Sequence, residues 1–76
     1  MPTEVTLPMH EGSDNGEIAR WLVKVGDLVA ARQAMVEVDY EGTLVAIPAA
    51  RAGRVAQICA DVGACVRKGS LLLLLD

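Results

Sequence analysis

The chain repeats itself. A displacement of 37 residues lays Gly16–Asp39 over Gly53–Asp76 without a gap. Gly16/Gly53, Ala19/Ala56, Val25/Val62, Gly26/Gly63, Val29/Val66 and Asp39/Asp76 are identical pairs. Apolar character persists at Ile18/Val55, Trp21/Ile58, Val36/Leu73 and Val38/Leu75. The same displacement pairs Glu4, Thr6 and Leu7 with Glu41, Thr43 and Leu44, so the repeat is read through the N-terminal segment as well. Two units are too few for a solenoid, which needs three or more to bury a continuous core. The repeat therefore predicts one pseudo-two-fold domain over residues 1–76, in which each half completes the other's core.

Periodicity alone leaves the element type open. Ile18, Trp21, Leu22 and Val25 fit a helical i, i+3, i+4, i+7 stripe. Against a helix stand Gly26 and Gly63 within the pattern, abundant valine, and the clear alternation in Met35–Asp39. Turn signals recur at short intervals, at 12–16, Gly26-Asp27, Glu41-Gly42, Gly53, Gly63 and Lys68-Gly69. Short strands between regular turns indicate an all-β sandwich or barrel. The strand runs are Glu4–Pro8, Gly16–Val25, Ala34–Asp39, Thr43–Pro48, Gly53–Ala60 and Ser70–Leu75, with short links at Leu28–Val29 and Cys65–Val66. Each copy would contribute four short strands.

Composition excludes several function classes. Hydrophobic residues make up 53% of the chain, but there is no Phe, one Trp and one Tyr, so little aromatic surface exists for stacking bases. The net charge is −3 with no basic run, which disfavours nucleic acid and anionic membranes as partners. The longest apolar run, Leu71–Leu75, is too short to span a bilayer, and no secretory signal pattern opens the chain. A cytoplasmic location is the expectation.

Single residues receive mostly structural readings. Cys59 and Cys65 replace Leu22 and Leu28 in the repeat, which predicts reduced thiols packed among aliphatic neighbours. One histidine cannot complete a four-ligand zinc site with them, so no metal site is expected. Trp21, paired with Ile58, reads as core. His10 is the chain's one histidine, belongs to no catalytic set and reads as a solvated loop residue. No Ser/His/Asp set, paired-acid arrangement or phosphate-binding loop is present, so no catalytic residue is assigned.

Residues 36–49, VEVDYEGTLVAIPA, read as a β-hairpin with its tip at Glu41-Gly42. Together with LPM, GEIARWLVKVGD, the glutamine-to-valine run and the later IPA and glycine-valine pair, this stretch resembles the lipoyl domain of the acyltransferase component of 2-oxoacid dehydrogenase complexes. The resemblance covers essentially the whole chain. Biotin carrier domains share the architecture, but their Met-Lys-Met tip is absent. The resemblance implies a flattened β-barrel or sandwich of two four-stranded antiparallel sheets related by a pseudo-two-fold axis.

In that family the tip reads Asp-Lys-Ala, and its lysine carries lipoate. The pattern puts Glu41 at the aspartate, Gly42 at the lysine and Thr43 at the alanine. The resemblance thus makes Gly42 a degenerate attachment position, and no bound cofactor is expected. Lys24 and Lys68 match the family's ordinary lysines and do not replace it. The loop after the first strand is about one residue shorter than usual. In the family this loop and the hairpin face partner enzymes, which here points to His10, Glu11, Asp39, Tyr40 and Glu41 as partner-binding residues.

The implied function is a non-catalytic lipoyl-like module, unmodified, acting by protein binding in or near a 2-oxoacid dehydrogenase complex. Two alternatives stay open: the carrier domain of a dihydrolipoamide acyltransferase whose lysine was lost or mutated, and a stand-alone structural barrel.

Overall fold

A computed structural model of the chain describes residues 2–8 and 15–76. Its eight strands are β1 Thr3–Thr6, β2 Asn15–Trp21, β3 Leu28–Val29, β4 Ala34–Tyr40, β5 Thr43–Pro48, β6 Gly53–Ile58, β7 Cys65–Arg67 and β8 Leu71–Leu75. They form two four-stranded antiparallel sheets, ordered β1-β8-β6-β3 and β5-β4-β2-β7. The sheets face one another without closing into a barrel, giving the flattened sandwich the resemblance implied. Among the described residues no helix is long and apolar enough to cross a membrane.

Each sheet draws two strands from each repeat, so neither half has a sheet of its own. The ladders repeat at the expected spacing. Ile18 pairs with Val38 and Trp21 with Val36; 37 residues on, Val55 pairs with Leu75 and Ile58 with Leu73. Even the irregularities recur, with a bulge between Ile18 and Arg20 and another between Val55 and Gln57. A bulge sets local twist, so its duplication means that both halves bend their sheets alike.

The 37-residue spacing holds for the outer strands β3 and β7 but breaks down for β1 and β5. Ala34 pairs with Pro48 and Val36 with Ile47, while Leu71 pairs with Thr6 and Leu73 with Val5. Thr6 is thus equivalent to Pro48, a displacement of 42 residues. The matching of Glu4, Thr6 and Leu7 to Glu41, Thr43 and Leu44 is therefore corrected. Those residues share letters, whereas cross-strand pairing is what fixes equivalence.

The helical stripe is also resolved. After Trp21 and Ile58 the chain leaves one sheet and crosses to the other, so these two strands end earlier than the expected Val25 and Ala60. The crossings interlock: Gly26 N–H donates to Val55 O, and Gly63 N–H to Ile18 O, both at 2.8 Å. Gly26 and Gly63 have φ of 95° and 88°, which side chains resist and glycine adopts freely.

Between the sheets lies an aliphatic core of Ile18, Met35, Val36, Val38, Val55, Leu72, Leu73 and Leu75 with Leu7. Burying each such side chain contributes about 1.5–3 kcal/mol. No polar or charged residue is buried among the described residues, so the core carries no electrostatic penalty. Trp21 packs against this core half-buried, and its indole Nε1–H donates to Ala60 O at 2.8 Å. That bond joins the first repeat to the second.

The cysteines correct another expectation. Cys59 and Cys65 are both exposed and free. Their repeat partners explain why: Leu22 and Leu28 are exposed as well. Val29 and Val66 point inward, so alternation turns the preceding Leu28 and Cys65 outward.

Candidate functional site

The β4–β5 hairpin supplies the site the sequence singles out. Tyr40 and Thr43 close it, leaving Glu41-Gly42 as the two-residue loop. Both loop residues have positive φ, 55° at Glu41 and 94° at Gly42. Positive φ at both positions marks a type I′ turn, whose twist matches that of the flanking strands. The carboxylate of Asp39 accepts a hydrogen bond from the Gly42 N–H at 2.6 Å. Asp39 is thereby engaged in holding the turn. A Cβ built on Gly42 would meet no atom within 4 Å, so a side chain there would project into open space.

Tyr40 does not face a partner. It is 3% exposed, and its ring lies over Gly16, whose Cβ would stand 3.3 Å from the ring carbons and 2.6 Å from Val38 Cγ1. The expected docking role of Tyr40 is corrected to an anchoring one: the side chain pins the end of β4 onto β2. Burial raises its phenol pKa above the ordinary value. Glu41 is exposed and Asp39 half-buried, so both remain presented at the surface. His10 and Glu11 lie outside the described residues.

An open depression of about 450 Å³ lies beside the tip, lined by Asn15, Gly16, Glu17, Asp39, Glu41, Gly42 and Cys65. Glu17 and Cys65 reach it because β2 pairs with β4 on one side and β7 on the other, with Glu17 opposite both Asp39 and Cys65. Sequence reasoning missed these two. The Val29/Val66 identity was the available signal, since it fixes which neighbours point outward. Among the described residues, three carboxylates and no cation line the depression, which gives this end an acidic character.

No lysine stands at the tip. Lys24 lies in the crossing after β2, and Lys68 lies in the turn between β7 and β8, which belong to different sheets. Among the described residues no group of His, Cys, Asp and Glu could hold a metal ion.

The fold and the hairpin can be set beside known proteins. The Biotin_lipoyl family model, described as "Biotin-requiring enzyme", matches residues 3–75. The chain belongs to this family. Among curated relatives, the dihydrolipoyllysine-residue acetyltransferase components of the pyruvate dehydrogenase complexes of Staphylococcus epidermidis and Staphylococcus aureus are 31% identical to it over 77 residues. The alignments take in 100% of the chain and 18% of each relative, so the chain spans less than a fifth of their length. The likeness is thus to a carrier-type domain of a larger acyltransferase, which is itself non-catalytic.

Proposed function

We propose that the chain is an unmodified lipoyl-type domain that acts by protein binding in or near a 2-oxoacid dehydrogenase complex, with no cofactor attached. One observation carries this reading. The hairpin tip that would present an acceptor lysine presents Gly42 in a closed type I′ turn. Neither remaining lysine occupies a two-residue hairpin, so neither offers a ligase the same shape. What the tip does present is Glu41, with Asp39 and Glu17 behind it, a surface suited to a partner with a basic face.

Co-expression with a lipoate ligase followed by intact-mass measurement tests the reading. The expected spectrum shows the bare chain. One lipoyl increment on Lys24 or Lys68 would overturn it. Gly42→Lys supplies the positive control, because its side chain has room and the strain of positive φ costs only about 1–2 kcal/mol. Partial lipoylation is expected, improved by adding Glu41→Asp. For the binding role, titration of labelled chain with dehydrogenase complex should shift amide resonances at 15–17 and 39–44. A null titration would remove the docking half of the proposal.

A further inference from the structure

The four edge strands are not equally defended. An edge presents unpaired backbone N–H and C=O groups, and proteins blunt such edges with brevity, charge, proline or bulges. β3 has two residues and β7 three, the latter ending in Arg67 before Lys68. β1 has four residues, carries Glu4, and is followed by Pro8. β5 has six, Thr43–Pro48, with no charge and a proline only at its last position. Its outward side chains include Leu44, 60% exposed, and exposed Ala46.

The backbone of β5 is aimed accordingly. The hairpin closes at Tyr40 and Thr43, so Thr43, Val45 and Ile47 direct their backbone groups to β4. Leu44 and Ala46 therefore turn their N–H and C=O groups away from the sheet.

We propose that β5 pairs with β5 of a second copy of this chain, antiparallel across a two-fold axis at Val45, joining two sheets into one. The strand is its own complement in this register. Leu44 falls opposite Ala46 of the second copy, and Ala46 opposite Leu44, so each bulky side chain meets a small one. The two pairs form four backbone hydrogen bonds. No charged residue lies on β5, so no like charges oppose one another. Glu37 and Asp39 stand one strand back on β4, three strand spacings or about 14 Å from their counterparts across the seam. Contact made by one strand on each side is far smaller than a standard interface, so the dimer is weak and dissociates on dilution.

Sedimentation of the 76-residue chain from about 10 μM to about 1 mM tests this, a window set by the affinity of so small a contact. Reversible dimerisation is expected, with amide exchange at Leu44 and Ala46 slowing as concentration rises. Leu44→Lys should weaken dimerisation at least about tenfold, by placing a solvated charge in the seam. Ala46→Pro should do the same while keeping the fold, because its N–H serves no bond to β4. A chain that stays monomeric to about 1 mM would overturn the proposal. So would a dimer that survives both substitutions, or one whose exchange protection falls on another edge.

Discussion

The pseudo-two-fold places two equivalent strand junctions at opposite ends of the sandwich, and the chain treats them differently. At one, β4 and β5 are joined by Glu41-Gly42 and sealed by the Asp39–Gly42 bond. At the other, β8 and β1 lie side by side with Leu75 opposite Thr3, unjoined. Arg51 crosses that second junction, its Nε–H donating to Thr3 Oγ1 at 3.1 Å and a terminal nitrogen to Leu75 O at 3.4 Å. A covalent turn holds one end and a guanidinium the other. Where the backbone itself closes the junction, the loop side chain of Glu41 stays exposed. Where it does not, a side chain is committed to structure.

Removing the anchor of the closed end should have the largest effect. Tyr40→Ala is expected to cost about 3–5 kcal/mol by analogy with other buried aromatic truncations, read as a fall in thermal midpoint. Tyr40→Phe keeps the packing and isolates the ionisation. The folded phenol pKa is raised, so its contribution is complete below the unfolded pKa and is lost as pH rises through the folded one. Wild type should therefore lose stability on the alkaline side of the ordinary tyrosine pKa, and Tyr40→Phe should show less of that loss.

The repeat-related glycines differ in what crowds them. Gly16→Ala drives a Cβ into Val38 and the Tyr40 ring, an overpacking worth about 1–3 kcal/mol. Gly53→Ala meets the backbone O of exposed Asp76 at 2.8 Å rather than two buried side chains. Denaturant midpoints should fall more for Gly16→Ala; equal losses would mean that the two ends are equally rigid.

Arg51→Ala should follow, at about 1 kcal/mol for its hydrogen bonds, with faster amide exchange in β1 and none at the hairpin. The smallest change is a gain. Arg32 has φ of 71° at the position equivalent to Gly69, whose φ is 86°. Arg32→Gly should remove strain and stabilise by up to about 1 kcal/mol, partly offset by glycine's greater unfolded-state entropy. A loss would show that Arg32 makes compensating contacts.

Much of this was legible in the letters. Identical glycines at one spacing, valine-rich alternation and the Glu41-Gly42 pair are local statements about backbone conformation, and each strand run and the hairpin turn followed from them. The errors share a different cause. Cys59 and Cys65 read as core because their repeat partners are leucines, yet hydrophobicity does not say which face a residue occupies. Tyr40 was placed with the exposed charges beside it, although alternation along β4 turns it inward.

The all-β class, the two-fold repeat, the tip at Gly42 and the absence of a lysine there follow from the letters alone, because these depend on neighbouring residues or on simple identity. Only the folded chain shows the 42-residue equivalence of β1 and β5, the burial of Tyr40 over Gly16, and the meeting of Glu17, Asp39, Glu41 and Cys65. Those features arise from pairing between strands distant in the chain. Register and facing are set by the partner strand and the opposing sheet, which no local pattern contains.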